Sequence, residues 1–340
     1  AIMSGARSGG LTAFRPTQEG VVFGITVVLF VVFSLLLPRF LTAGNILTLL
    51  NNVSTLGMLA IGMSLVVVGR GIDLTMVAVM VIGVSFSIWL STTGVPFAWA
   101  LVVGGLLTIA IGTLTGVLVA IAEISPIFAT LALASVVYGA GRLAFKSDVV
   151  YAPGGQAWFT YIGAGTIFGV PVSVCATALV AIVVAVFMRK TRFGRFVYAV
   201  GDNPHAARTF GLPTRPVIIV QYAASAFIAF LAGVLICALV SGINTRIYNS
   251  SLIYDVLLVV VLGGIGLSGG KGGVRNVVVG TLMVGVLIDG MTILNINYDM
   301  QNLVKGVILL GALALDAVVK PLGLDCATLK SNGRYLEDVY

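Results

Sequence analysis

Charged side chains are scarce in this chain, so each one inside an apolar run asks for a chemical reason. Asp289 sits in the run VGVLIDGMTIL, beside Gly290. A carboxylate in hydrocarbon is costly and usually functional. It reads either as a group bordering a solute path near the external end of its helix or as a structural contact. Asp255 opens another apolar run and Lys305 stands near the outer end of a third. Both read first as interfacial groups, the lysine snorkelling toward water. Asn52 and Thr130 lie in apolar runs as well, and with Asp289 and Asp255 they form the candidate lining of a translocation path. Asp73, in Gly69-Arg70-Gly71-Ile72-Asp73-Leu74-Thr75, marks a turn between two apolar runs. It reads as an N-cap, with Arg70 as a surface anchor.

Other chemistry is missing from the pattern. A phosphate loop needs G-x-x-x-x-G-K-[ST] between a strand and a helix. The nearest string, Gly269-Gly270-Lys271-Gly272-Gly273, has neither the hydroxyl residue nor the setting. The chain is therefore not expected to hydrolyse ATP itself. The single His205 and the scattered carboxylates form no metal or nucleophile constellation, and no bound cofactor is expected. Cys175 and Cys237 lie in apolar runs and Cys326 in a polar tail, a spacing that suits neither a disulfide framework nor a metal site.

The elements that must position these residues follow from composition. Of 340 residues, 59% are hydrophobic and 9% charged, against about 25% charged in soluble domains. That excludes a soluble enzyme or a nucleic-acid binder despite a net charge of +7. A transmembrane helix takes roughly 20 apolar residues. Runs of that kind fall near 20–37, 46–68, 74–91, 97–121, 126–145, 170–188, 217–241, 252–267, 274–293 and 303–319. The expected fold is an all-α polytopic membrane protein with about ten transmembrane helices. High glycine content within the runs suits close helix packing.

Basic residues orient the chain. With the N-terminus inside, Arg7, Arg15, Arg70, Arg189, Lys190, Arg192, Arg195, Arg208, Arg215, Lys271, Arg275, Lys320, Lys330 and Arg334 face the cytoplasm. Only Arg39, Arg142, Lys146, Arg246 and Lys305 face outward. This positive-inside bias predicts cytoplasmic termini, and no cleaved signal peptide is expected. The organisation read from these patterns is a cytoplasmic segment 1–19, a membrane domain 20–320 and a cytoplasmic tail 321–340. Residues 146–169 form an external loop whose Trp158, Phe159 and Tyr161 suit an interface belt. Residues 189–216 form a basic internal loop.

Several strings, in order, resemble one family. Ala60-Ile61-Gly62-Met63-Ser64 and Gly71-Ile72-Asp73-Leu74-Thr75 are followed by Ser125-Pro126-Ile127-Phe128-Ala129-Thr130-Leu131. Thr191-Arg192-Phe193-Gly194-Arg195 then leads into Tyr198-Ala199-Val200-Gly201-Asp202-Asn203-Pro204-His205-Ala206-Ala207-Arg208, ending at Gly211. Leu262-Gly263-Gly264-Ile265-Gly266-Leu267-Ser268-Gly269-Gly270-Lys271-Gly272 closes the set. Together, from about residue 40 to 320, they resemble the permeases of ribose-type ABC importers. The resemblance implies a bacterial inner-membrane protein that imports a monosaccharide or similar small polar solute. It also implies a second permease chain, ATP-binding-cassette ATPase subunits carrying ATP and magnesium, and a periplasmic solute-binding protein as partners.

The resemblance makes Arg192, Gly194, Arg195, Gly201, Asp202, Asn203, His205, Ala206, Ala207, Arg208 and Gly211 the ATPase-coupling loop. Gly71, Asp73, Gly263, Gly264, Gly269 and Gly270 become structural signature residues. Small Ala206 and Ala207 would let a short helix lie close against a cleft, with Gly211 able to end it. Three positions depart from the family pattern: His205 for Glu, Val77 for Gly and Asp289 for an uncharged polar residue. The solute is therefore not carried across. The contrasting class is a stand-alone channel or ion-coupled secondary carrier for a small polar solute, which would need no ATPase.

Overall fold

The structure, a computed structural model, describes residues 18–145 and 147–322. Arg7, Arg15, Lys146, Cys326, Lys330 and Arg334, with most of the expected N-terminal segment and C-terminal tail, lie outside the described residues.

The chain runs through α1 (Gln18–Leu36), α2 (Ala43–Val68), α3 (Met76–Thr92), α4 (Phe97–Ala120) and α5 (Pro126–Phe145). Next come β1 (Val149–Tyr151), α6 (Ala157–Ala164), β2 (Thr166–Ile167), β3 (Val170–Pro171) and α7 (Val172–Lys190). Two short helices, α8 (Arg192–Asp202) and α9 (Pro204–Thr209), precede α10 (Thr214–Val240). Then follow β4 (Gly242–Asn244), a 3-10 turn (Thr245–Asn249), α11 (Leu252–Leu262), α12 (Val274–Ile293) and α13 (Tyr298–Leu322). Among the described residues, α1, α2, α4, α5, α7, α10 and α12 are long and apolar enough to cross a membrane, while α3 and α11 are apolar but shorter. The protein is an all-α polytopic membrane protein. Each of the ten predicted apolar runs holds a helix, but the eighth ends at Leu262 rather than 267, where Gly264 turns the chain at φ 91°.

Helices α2, α3 and α10 form the centre. The second half of α2 and most of α3 are buried on every side, as expected of helices apolar all round. Close approach is set by small residues. Gly112 and Gly116, one turn apart on α4, let α10 come so near that a Cβ at either would lie 2.6 Å from Tyr222 or Ile219 backbone. This is the small-xxx-small contact used between helices in lipid. At the periphery, α1 and α7 leave large apolar side chains exposed, among them Val28, Leu35, Leu179 and Ile182.

The connections gather at two opposite ends. At one, the junction end, lie residues 69–75, 121–125, 191–213 and 263–273. At the other, the strap end, β1 pairs antiparallel with β4 (Val150 opposite Ile243), and β2 pairs with β3. The loop 146–169, read from sequence as hydrophilic with an aromatic belt, therefore contains a helix and strand pairing. Phe159 is not in a belt: it is buried, edge-on to Phe97 at 4.9 Å. Trp158 and Tyr161 do stay exposed.

Candidate functional site: a junction of three loops

The basic segment after α7 folds as two helices. Thr191 caps α8 by accepting a hydrogen bond from the Gly194 amide at 3.1 Å. Gly194 permits the tight bend, since a Cβ there would overlap the Met188 carbonyl. Helix α8 is strongly amphipathic, with Val197, Val200 and Gly201 buried and Arg192, Arg195 and Asp202 exposed. Asn203 then caps α9, its Oδ1 accepting from the amides of His205 (3.1 Å) and Ala206 (3.0 Å), with Pro204 suited to the first helical position.

Helix α9 ends as the sequence reading expects. Gly211 sits at φ 73°. The Leu212 amide donates to the Ala207 carbonyl and the Gly211 amide to that of Arg208, both at 3.0 Å. This is a Schellman motif, which satisfies carbonyls at a helix end. Ala207 is turned into the chain's own interior at 4% exposure, so its small size serves internal packing. His205, Arg208, Thr209 and Phe210 are turned out, and Phe210 is 84% exposed. Arg208 and Arg215 both stand 3.9 Å from Glu123, in the turn between α4 and α5.

Residues up to about 200 positions apart meet behind α8. The Gly270 amide donates to the Val68 carbonyl at 2.8 Å. Tyr198 on α8 donates its hydroxyl to the Gly272 carbonyl at 2.8 Å, and burial pushes that hydroxyl's pKa up, keeping it a neutral donor. Arg70, at φ 70°, donates Nε to the Ser268 carbonyl at 2.7 Å. There is no room for side chains here. A Cβ at Gly201 would overlap the Val68 carbonyl and crowd the Gly270 amide; one at Gly270 would lie 2.8 Å from the Asp202 backbone. Gly263 is latched from α12 by Asn276, whose Nδ2 donates to its carbonyl at 2.7 Å.

Asp73 is the polar centre of the same end. It is 1% exposed, and the helix cap position falls on Thr75 instead. Its Oδ1 accepts from the amide and hydroxyl of Thr75, and its Oδ2 accepts from Ser225 of α10 at 2.8 Å. One turn before Ser225, Gln221 donates to the Leu65 carbonyl at 2.9 Å. The carboxylate thus ties the α2–α3 turn to the central helix. Arg70 is more than a surface anchor, because it joins that turn to the 263–273 loop.

Sequence reading missed Phe210, Tyr198, Gln221, Ser225 and Asn276. For two of them a signal was present: Gln221 and Ser225 are four apart in an apolar run, hence on one helix face. Val77, one of the departures from the family strings, is buried at 2% exposure in α3.

The translocation-path candidates are not brought together. Asp289 accepts from Asn45 Nδ2 at 2.7 Å, joining α12 to the start of α2. Gly290 beside it faces the ring of Phe33 on α1. Asp255 forms a 2.7 Å ion pair with Lys305. Lys305 is 6% exposed, so it does not snorkel; the partner carboxylate holds it inside, over the ring of Tyr298. Thr130 is fully buried and bonds back to Pro126 in its own helix, while Asn52 is exposed on α2. The cavity beside Asp255, about 240 Å³, is lined by Ser251, Tyr254, Asn302 and Lys305 and by none of the other three candidates.

The sequence is similar to that of known proteins. Residues 45–313 match the family model described as branched-chain amino acid transport system / permease component. The chain is 30% identical to the ribose import permease protein RbsC of Bacillus subtilis, over 85% of this chain and 89% of that protein. It is 31% identical to the L-arabinose ABC transporter permease protein AraH of Azospirillum brasilense, covering 88% and 87%. It is also 31% identical to the galactofuranose transporter permease protein YtfT of Escherichia coli, covering 81% and 80%. No solved structure matches the chain.

Proposed function

The chain belongs to the permease family whose model covers residues 45–313, and on that premise we propose that it is the translocating subunit of an ATP-driven importer for a monosaccharide or chemically similar solute. The relatives named for ribose, L-arabinose and galactofuranose support that solute class. The observation that carries the coupling role is the junction. An exposed helix tipped by Phe210 is continuous with α8, which is locked by backbone contacts to the α2–α3 and α11–α12 turns. Long-range coupling needs a physical element that both sites bias. A partner that moves α9 moves all three turns together, because none can slide past a backbone contact.

In this reading ATP and magnesium belong to a separate ATPase docked at the junction end, and this chain makes no covalent bond. A periplasmic solute-binding protein delivers solute at the strap end, and a second permease chain completes the path. Ten helices cross the bacterial inner membrane, with both termini and the junction end cytoplasmic. Arg70, Arg189, Lys190, Arg192, Arg195, Arg208, Arg215, Lys271 and Arg275 then lie inside, as the positive-inside rule requires. Of the path candidates, Asn52 is exposed on α2 and Asp255 borders a cavity, so these two are the ones open to a path in this reading, whereas Thr130 is enclosed by the chain itself.

The test is reconstitution of the complete complex with Phe210→Ala and His205→Ala. Association with the ATPase and solute-stimulated ATP turnover should fall, while the isolated chain's thermal midpoint stays unchanged because both side chains are exposed. Normal turnover and uptake in both variants would reject α9 as the coupling element. Uphill uptake by this chain alone, without ATP, would return the assignment to a stand-alone carrier. A cysteine near Gln156 should react with an impermeant reagent in intact cells, and one near Asn203 should not.

A further inference from the structure

A groove between α7 and α12 has the shape and charge of a lipid site. At the junction end it opens as a cavity of about 400 Å³, bordered by Glu19, Arg189, Tyr198 and Arg275. Further into the membrane domain a second cavity of about 160 Å³ continues between the same helices, floored by Ser54, Gly57 and Ile61 of α2. Val278 lines both cavities, and Ala181 and Ala185 stand one turn apart on α7. The two spaces therefore follow a single seam, polar at its mouth and apolar along its length. Ala178, Val278 and Leu282 are exposed, so the seam is open sideways.

The mouth carries an excess of positive charge. Arg275 is paired with Glu19 at 3.0 Å, and Glu19 is the one carboxylate bordering the mouth. Arg189 is exposed and has no anionic partner among the described residues; Lys190 and Arg192 follow it in the chain and are exposed as well. Gly273, at the start of α12, supplies no side-chain cap; its carbonyl accepts from the Asn276 and Val277 amides, so only the Val274 and Arg275 amides stand at the mouth without a cap. Arginine binds phosphate oxygens through parallel donors, and basic groups beside a membrane attract anionic lipid.

We propose that this seam holds one anionic phospholipid, its phosphate between Arg189 and Arg275 and an acyl chain lying along Ala185, Ala181 and Val278. The inference requires only that the junction end lies in a phospholipid leaflet; it does not depend on ATP coupling or on the identity of the solute. A second copy of the chain is the other conceivable occupant. Two copies related by an axis along the membrane normal would meet at equal depth, setting the basic mouths against each other. Through Tyr198, which borders the mouth and bonds to Gly272, the bound lipid abuts the junction and stiffens the contact between α8 and the 263–273 loop.

The experiment is native mass spectrometry of the purified, delipidated chain titrated with phosphatidylglycerol and, in parallel, with phosphatidylcholine. The natural chain should retain one phosphatidylglycerol at concentrations where phosphatidylcholine is absent. Arg189→Gln with Arg275→Gln should weaken that retention about tenfold or more, each exposed arginine contributing roughly a few-fold. Val278→Trp, which fills the seam and leaves the arginines in place, should abolish it. Millimolar inorganic phosphate should not displace the lipid. Equal retention by the double arginine variant would overturn the proposal, as would unchanged retention by Val278→Trp, which would leave only a surface headgroup contact. A protein dimer lost in Val278→Trp, with no lipid bound, would assign the seam to a second copy instead.

Discussion

The two ends of the molecule are held together by different physics. At the junction end, glycines bring backbone against backbone, and the buried carboxyl of Asp73 is satisfied by the neutral donors of Thr75 and Ser225. The ion pairs there, Arg275 with Glu19 and Arg208 and Arg215 with Glu123, are peripheral. At the strap end, beside the bond from the neutral Asn45 to Asp289, ion pairs tie elements together. Asp148 bridges Arg142 (2.8 Å) and Arg246 (2.6 Å), and the buried pair Asp255–Lys305 joins α11 to α13. Backbone contacts without side chains cannot yield by changing rotamers, so the junction moves as one piece or not at all. Ion pairs between long side chains can open and re-form, so the strap end can rearrange without moving backbone.

The comparison can be broken by substitution. The largest effect is expected for Lys305→Met, which leaves Asp255 buried and unpaired and should destabilise the chain by about 3–5 kcal/mol. Asp255→Leu combined with Lys305→Met should recover most of that loss. Thermal unfolding of the purified chain measures both, and a single variant as stable as the natural chain would show that the pair is not held in a dry site.

At the junction end volume should matter instead. Gly201→Ala places a methyl group against the Val68 carbonyl and should cost about 1–3 kcal/mol, the usual range for overpacking. Asp73→Ala strands the hydroxyls of Ser225 and Thr75 and should cost about 1–3 kcal/mol, whereas Asp73→Asn keeps an acceptor and should lose less. Unfolding midpoints again give the ranking; a Gly201→Ala chain of natural stability would mean that the three turns are not in backbone contact.

The smallest effect concerns the exposed strap. The Arg246 guanidinium bonded to Asp148 holds its carboxyl below the ordinary value of 3.8, with Arg142 acting in the same direction and partial desolvation opposing them. A carboxyl whose folded-state pKa is depressed stabilises the fold above its unfolded value and loses that contribution as pH falls through the folded one. Pairing of β1 with β4 should therefore hold at neutral pH and loosen only below pH 3.8. Salt should weaken it too, because exposed pairs are screened. Amide exchange at Val150 and Ile243, beside the Asp148 ion pairs, would follow both trends; exchange at Gly270, which bonds Val68 at the opposite end of the molecule, should respond to neither.

Some of this was legible in the chain. Ten apolar runs each became a helix, because hydrocarbon forces backbone polar groups to pair within a segment and leaves little choice of structure. The end of α9 was legible too, since Gly211 is suited to a left-handed helix stop. The 146–169 strap was not, because its register is set by a partner strand about 90 residues away. Nor was the role of Lys305: a lysine near a span end snorkels unless a carboxylate on another helix faces it, and sequence does not say which helices face.

What the sequence by itself determined was the kind of molecule: helices in a membrane, the glycine strings of its family and a basic side. Those depend on local composition and spacing, which are properties of the chain before it folds. Tertiary structure decided that Gly201, Gly270 and Val68 share one point, that Asp73 is a tie to α10 rather than a cap, and that Phe210 is left exposed at the end of α9. Each of these depends on which helix lies beside which. That is settled by the packing of small residues between segments far apart in the chain, of which Gly112 and Gly116 against Tyr222 and Ile219 are the clearest case.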